Sequence, residues 1–164
     1  MEQALAGCVA TTAMAKAVRS EESLEKRAEA AIEEARMVLP GIQTLFGFQL
    51  IAGFNQGFGK LPGAEQYLHY TSLVLIALAI AIIMAPAAYH RIVEQGSVSL
   101  FFVSLISWLI AAAMVPLAIA LSLEVYVVGT VILGERALSA IVAAVLVVIF
   151  AALWFGFPFV MRNR

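Results

Sequence analysis

Long uninterrupted runs of apolar residues dominate the chain from residue 40 onwards. Residues 67–89 and 137–160 each hold about the 20 residues that a helix needs to cross a bilayer. The run between them, Val98 to Leu133, has 36 residues. As a straight helix it would measure about 54 Å, against a hydrocarbon core of roughly 30 Å. We interpret it as one tilted span, kinked at Pro116 and protruding from the membrane past Leu121.

The first apolar segment, from Pro40 to Phe58, differs because it carries the polar residues Gln43, Thr44 and Gln49. It is barely long enough to span a membrane. On a helix the two glutamines lie on faces about 120° apart, so the segment is polar on two sides. Amides at membrane depth need protein or water as partners. We therefore expect this span to lie centrally, either hydrogen-bonded across helices or lining a water-filled cavity.

The segment before Pro40 has a different pattern. Residues 1–19 show no strong periodicity and are predicted to be a flexible leader, whereas residues 20–39 are predicted to form an amphipathic helix with Ser20 as its N-cap. Pro40 is predicted to occupy the first turn of the next helix. The polar face of the amphipathic helix should hold two ion pairs at helical spacing: Glu22–Lys26 and Glu33–Arg36.

Composition agrees with a membrane protein, since 63% of the residues are hydrophobic, 13% are charged and the mean hydropathy is +0.97. A net charge of −1 gives no reason to expect a nucleic-acid partner. The single cysteine, Cys8, allows no internal disulfide. The sequence thus predicts an all-α fold: an integral membrane four-helix bundle over residues 40–160, in contact with the lipid bilayer and preceded by an amphipathic cytoplasmic helix.

The basic residues are distributed unevenly between the two sides of this four-span arrangement. Eight fall on one side and two, Lys60 and Arg136, on the other. Cytoplasmic segments carry the excess of lysine and arginine, so both termini, including the basic tail at residues 161–164, are predicted to be cytoplasmic. The eight are Lys16, Arg19, Lys26, Arg27, Arg36, Arg91, Arg162 and Arg164.

Two stretches, EEARMVLPGIQTLFGFQL at residues 33–50 and APAAYHR at residues 85–91, resemble a bacterial family of small four-span membrane proteins of unknown function. The resemblance extends from about Ser20 to the C-terminus. Some members of that family carry an automatic sodium:proton antiporter label. The resemblance implies a multi-pass protein of the bacterial inner membrane and raises ion transport as a hypothesis.

Glu124 is the sharpest candidate for chemistry, because it is a carboxylate within the apolar run ALSLEVYVV. A carboxylate inside a membrane marks an ion or proton pathway by default. Its distance from Val98, about 39 Å along a helix, instead favours a position at the outer interface. Both interpretations remain open from the sequence. The transport or polar-lining candidates are Gln43, Thr44, Gln49 and Glu124.

Aromatic and basic residues at the ends of the predicted spans are interpreted as interface anchors. No histidine has a second histidine or an acid at metal-ligand spacing, so no metal site or other cofactor is predicted. The predicted anchors are Tyr67, His69, Tyr89, His90, Arg91 and Trp154.

The chain contains no phosphate-binding glycine loop, metalloprotease motif or nucleophile elbow, so we do not expect an enzyme. Two functional hypotheses remain. One is an ion-translocating protein, channel-like or exchanging cations for protons, assembled as a homo-oligomer. The other is an accessory or structural subunit of a larger membrane complex.

Overall fold

The computed structural model describes the backbone of residues 2–93 and 99–162, and the side chains of Met14, Ser20 and those from Glu22 onwards within these ranges. Every regular element in the described part is helical, as predicted for an all-α protein. The side chain of Cys8 and residues 163–164 of the predicted basic tail lie outside the description. The elements are α1 (Glu2–Gly53), a 3₁₀ turn (Phe58–Lys60), α2 (Gly63–Ile92), α3 (Leu100–Leu133), α4 (Arg136–Ala151), a π turn (Ala152–Gly156) and α5 (Phe157–Arg162).

Three helical stretches of the described chain are long and apolar enough to cross a membrane: Gly63–Ile92, Leu100–Leu133 and Arg136–Arg162. They correspond to the second, third and fourth predicted spans, and the chain is accordingly a membrane protein. The predicted first span is not among them by length and composition. It nevertheless lies beside the others, because Ile42 of α1 is buried in one cluster with Ile76 of α2 and Ala113 of α3.

Helix α1 is continuous for 52 residues and passes through the two positions at which a helix was predicted to begin, Ser20 and Pro40. The prediction of an N-cap at Ser20 is wrong: Ser20 lies inside the helix, and its carbonyl accepts a hydrogen bond from Ser23 Oγ at 2.7 Å. Alanine-rich sequence on both sides favours helix, so nothing stops the helix at this serine. Pro40 is likewise inside α1 rather than at the start of a new helix. Neighbouring helices can hold a proline-containing turn in place.

The two predicted ion pairs on α1 are confirmed, Glu22–Lys26 at 2.6 Å and Glu33–Arg36 at 3.2 Å.

The helices pack around two apolar clusters, one at an end of the bundle and a larger one in its middle. At the end formed by the α2–α3 connection, here called the proximal end, Ala28 of α1 packs against Phe102 and Ile106 of α3. The charged half of α1 therefore packs against protein at this end through its alanine stripe. The opposite end, here called the distal end, contains the α1–α2 and α3–α4 connections. Between the ends lies the larger cluster, made of Ile42, Ile76, Ala79, Ile83, Ala113, Leu117 and Ala120.

The connection between α3 and α4 is a tight turn from Gly134 to Arg136. Gly134 has φ 69°, and its N–H donates to the Thr130 carbonyl, which ends α3 with a left-handed glycine cap. One turn earlier the two helices come close together. A Cβ placed on Gly129 would stand 2.9 Å from Ser139 Oγ and 3.1 Å from Ser139 Cβ. A glycine at 129 is therefore what allows α4 to lie against α3.

The last span continues through a π turn, Ala152–Gly156, before α5. Pro158 has no N–H and its ring crowds the carbonyl four residues earlier, and a widened turn just before it relieves that crowding. Trp154 lies in this turn, packed against the central cluster and 4.7 Å from the ring of Phe150. Its ring therefore contacts protein, although it was predicted as an interface anchor.

Candidate functional site

A group of polar side chains is buried in the distal half of the bundle, where α1, α2 and α3 meet. Gln49 of α1, His69 of α2 and Ser72 of α2 are all at least nine-tenths buried. Glu124 of α3 completes the group, with its side chain 19% exposed. Each helix contributes through its inward face, so the cluster is a product of the packing of three helices rather than of any local motif.

The imidazole of His69 lies between two hydrogen-bond acceptors. Its Nδ1 is 3.0 Å from both carboxylate oxygens of Glu124, and its Nε2 is 3.1 Å from the backbone carbonyl of Gln49. A carbonyl can only accept, so Nε2 must carry a proton. The Nδ1 contact then needs one further proton, held either on Nδ1 facing an ionised Glu124 or on a protonated Glu124 facing a bare Nδ1. In both arrangements the pair is electrically neutral. A neutral histidine beside an ionised glutamate would have one proton fewer and a net charge of −1.

The ring of His69 is also held from the side of the α1–α2 loop. The ring of Phe58, in the 3₁₀ turn, lies with its centroid 4.9 Å from that of His69. Gly53 is close as well, since a Cβ there would stand 3.7 Å from Nε2. These contacts fix the orientation in which one ring nitrogen faces the carboxylate and the other faces the carbonyl.

Glu124 connects the buried histidine to the surface of the bundle. It lines a groove of about 390 Å³ between α3 and α4. It also lines a second groove of about 350 Å³, bounded by α3 and the α1–α2 loop, which His69 and Phe58 line too. A proton or cation entering the groove between α3 and α4 would therefore meet the carboxylate, because His69 does not line that groove.

Gln49 and Ser72 extend the hydrogen-bonded group towards the centre of the bundle. Gln49 Nε2 donates to Ser72 Oγ at 3.1 Å, and Ser72 Oγ donates to the backbone carbonyl of Ala120 at 3.0 Å. The other amide atom, Gln49 Oε1, is buried and has no hydrogen-bond partner in the described part of the chain. These bonds tie α1, α2 and α3 together at the level of the cluster.

A second polar pair lies nearer the distal end. Arg136, at the start of α4, has Nη2 3.0 Å from Oε1 of Glu65, in the first turn of α2. The Glu65 side chain is 3% exposed, whereas that of Arg136 is 65% exposed. Both residues line a pocket of about 380 Å³, together with Lys60.

The structure separates the candidates that the sequence grouped together. Gln43 and Thr44 lie on an exposed face of α1 in the single chain, and Thr44 Oγ1 donates to the Pro40 carbonyl at 2.8 Å. Only Gln49 and Glu124 of the four polar candidates share one site. No group of three or more histidine, cysteine or acidic residues within the described ranges could hold a metal ion.

Among the predicted interface anchors, Tyr67 is exposed at the distal end and Arg91 is exposed at the proximal end. Tyr89 and His90 are partly buried, and their rings stack on Phe102 with centroids 5.9 and 5.1 Å away. His69 differs from the rest because it is 3% exposed and bonded to Glu124.

The pairing of His69 with Glu124 is the feature that sequence reasoning missed. The two residues are 55 positions apart and belong to different predicted spans. One signal could have indicated it: each lies about 27 residues from residue 96, in the connection between α2 and α3. Residues equally far from such a connection lie at the same level in two antiparallel helices.

Comparison with known protein families gives one match. The model of DUF6328, a family of unknown function, matches residues 19–158. The chain belongs to this family. The DUF6328 match includes all of the polar cluster, from Gln49 to Glu124, and leaves out most of the predicted leader. No curated protein and no solved structure shows significant similarity to the chain.

Proposed function

We propose that this DUF6328 protein translocates ions across the bacterial inner membrane, exchanging a proton for a cation at His69 and Glu124. The observation that carries the proposal is the position of the His69 ring between two acceptors, with the partner carboxylate reachable from two grooves. Ionisable residues at membrane depth mark proton relays and ion pathways. The role is a transport role and not an enzymatic one.

The proposed exchange follows from the charge of the pair. With its extra proton the pair is neutral, so it is compatible with apolar surroundings. When that proton leaves through Glu124, the imidazole keeps the Nε2 proton that it donates to the Gln49 carbonyl, and the site gains one negative charge. A monovalent cation beside the Glu124 carboxylate would restore neutrality. Proton release and cation binding are therefore coupled, and rebinding of a proton expels the cation.

The flux of ions into liposomes tests this proposal directly. Purified full-length protein, reconstituted in liposomes, should dissipate a proton gradient faster in the presence of external sodium or potassium than protein-free liposomes do. The comparison of the two cations identifies the one that is exchanged. Equal rates with and without protein, in the presence of either cation, would contradict the proposed function.

We further propose that the protein works as a homo-oligomer, in which the ion path follows a contact between subunits. Gln43 and Thr44 are exposed on α1 in the single chain, at the level of the central cluster that contains Ile42. Exposed amides facing lipid tails are unfavourable, whereas a second protein surface could satisfy them. Both grooves beside Glu124 are also open on the surface of the single chain, so a second subunit could close them.

Thiol labelling tests whether that face of α1 is covered. In a Cys8→Ser background, Gln43→Cys should react severalfold more slowly with a lipid-dissolved thiol reagent than Phe48→Cys, which lies on another face and is 67% exposed. Gln49→Cys, buried within the chain, provides the slow reference. Labelling of position 43 at the rate of position 48 would show that this face contacts lipid.

We propose the orientation with both termini cytoplasmic, on the basis of the uneven distribution of basic residues. The distal end, with Lys60 and Arg136, is then periplasmic. A reporter enzyme that functions only in the cytoplasm should be active when fused after Arg164. Activity of a periplasm-specific reporter at the same fusion point would reverse the orientation.

The alternative function is an accessory or structural subunit of a larger membrane complex. The exposed polar face of α1 supports it equally well, because a different protein could cover Gln43. The fourth helical stretch, Arg136–Arg162, supports it too. Within its most apolar part 6% of the residues are buried in the single chain, compared with 28% for α2 and 22% for α3, so most of its surface is free to contact another protein. An absence of flux together with co-purification of one membrane partner would favour this alternative over the transport role.

A further inference from the structure

We propose that the pocket at the distal end binds the headgroup of a phospholipid that carries a primary amine, of the phosphatidylethanolamine class. This inference does not depend on ion transport, because it concerns Glu65, Arg136 and Lys60 rather than the His69–Glu124 pair. It rests on the charges that line one pocket, on one unsatisfied buried atom and on the shape of the neighbouring groove.

The buried atom is Oε2 of Glu65. Its partner oxygen, Oε1, is bound to Arg136, but Oε2 is inaccessible and has no hydrogen-bond partner in the described part of the chain. A buried carboxylate oxygen without a donor is unfavourable, because the hydrogen bonds that it would make to water are not replaced. Glu65 lines the pocket of about 380 Å³. A ligand with N–H groups in this pocket could supply the donor that Oε2 lacks, once the carboxylate turns to expose this oxygen.

The same pocket is lined by two cations. The side chain of Arg136 is 65% exposed although it is paired with Glu65, and Lys60 makes no ion pair among the described residues. With Glu65 they leave a net charge of +1. Two cations beside one carboxylate match a ligand that carries a phosphate and an ammonium group, since guanidinium and ammonium groups bind phosphate oxygens.

A groove lined mainly by apolar residues, with Glu124 and His69 at its inner wall, shares residues with this pocket. Gly57, Leu61 and Val131 line both the pocket and the groove of about 350 Å³ that runs towards Phe58 and Val128. An acyl chain could lie against the apolar side chains of this groove, because it replaces contacts with lipid tails by contacts with those side chains. A soluble phosphoethanolamine would leave the groove unused, whereas a phospholipid would occupy both the pocket and the groove. Ions would then reach Glu124 through the other groove, between α3 and α4.

Lipid titration of the full-length protein in detergent micelles, followed by native mass spectrometry, tests the proposal. The probes are dioleoyl phosphatidylethanolamine, phosphatidylcholine and phosphatidylglycerol. Phosphatidylethanolamine should bind about tenfold more tightly than phosphatidylcholine, whose quaternary ammonium has no N–H to donate to Glu65. Equal binding of these two lipids, or tightest binding of phosphatidylglycerol, would overturn the proposal.

Two variants test recognition of the amine and of the phosphate separately. Glu65→Gln should abolish the preference for phosphatidylethanolamine over phosphatidylcholine. Lys60→Gln should weaken all three phospholipids severalfold and keep their order, because the phosphate is common to them. Lys60 is exposed and outside the Glu65–Arg136 pair, so its variant remains informative if Glu65→Gln fails to fold.

The matched control is Glu135→Gln, which makes the same change at an exposed glutamate of the same end that does not line the pocket. It should keep the binding of the unmodified protein. A Glu65→Gln protein that still prefers phosphatidylethanolamine, or a Glu135→Gln protein that loses the preference, would refute the assignment to this pocket.

Discussion

Glu124→Gln should reduce proton-coupled cation flux in liposomes to the rate of protein-free liposomes. The amide keeps the shape of the carboxylate and has an N–H that can donate to His69 Nδ1 at the observed 3.0 Å, but it can neither exchange the extra proton nor neutralise a cation. His69 then stays neutral, with Nε2 donating to the Gln49 carbonyl and Nδ1 accepting from the amide, so the site has no proton to exchange. The measurement is the initial rate of flux against pH for the two proteins.

The effect on assembly should be small in comparison. A retained hydrogen bond to the amide limits the loss in the free energy of unfolding to about 1 kcal/mol, so oligomer size in detergent should stay the same. Glu135→Gln, at an exposed glutamate of the same end, should transport like the unmodified protein. Undiminished, pH-dependent flux from Glu124→Gln would show that the ion path does not involve this carboxylate.

Gly129→Ala should destabilise the bundle by about 1–3 kcal/mol, the usual range for an added carbon in a close-packed site. The new Cβ would stand 2.9 Å from Ser139 Oγ and 3.1 Å from Ser139 Cβ. Rotation of the serine would relieve only the first contact, and it would break the 2.7 Å bond that Ser139 Oγ donates to the Glu135 carbonyl. The helices α3 and α4 must therefore move apart.

Thermal unfolding in one detergent provides the measurement. Gly47→Ala is the matched control, because a Cβ at Gly47 meets no atom within 4 Å and alanine favours helix there. It should leave the midpoint unchanged or raise it. If the two alanine variants unfold at the same temperature, the close approach of α3 and α4 does not contribute to stability.

The sequence predicts those parts of the fold that depend on local pattern. Apolar runs identify the helices that contain Ile76, Ala113 and Leu146, because spanning a bilayer requires a length that the sequence displays directly. The left-handed turn at Gly134 and the ion pairs on α1 follow from neighbours within four residues. Pro40 misled the prediction, since a proline is also tolerated inside a helix that others support.

The site could be predicted only in part, because it depends on which helix faces meet. Periodicity places Gln43 and Gln49 on different faces of one helix, but it does not say which of those faces points inward. Packing decides this, and Gln49 is the one that reaches Ser72. For the same reason His69 was predicted as an anchor and Glu124 was considered alone, although the alignment of α2 with α3 brings them into contact.

Helix α1 connects its charged N-terminal half to the buried polar cluster without a break. Fifty-two residues of helix form a rod about 78 Å long, and its N-terminal half shares one hydrogen-bonded backbone with Gln49. The rod has a single weakened joint, at Pro40, where the missing N–H removes one bond of the ladder. That joint lies about 13 Å from Gln49, whose carbonyl holds the ring of His69. A displacement of the N-terminal half of α1 would therefore reach that carbonyl through one continuous helix that bends most easily at Pro40, because no loop separates the two halves of α1.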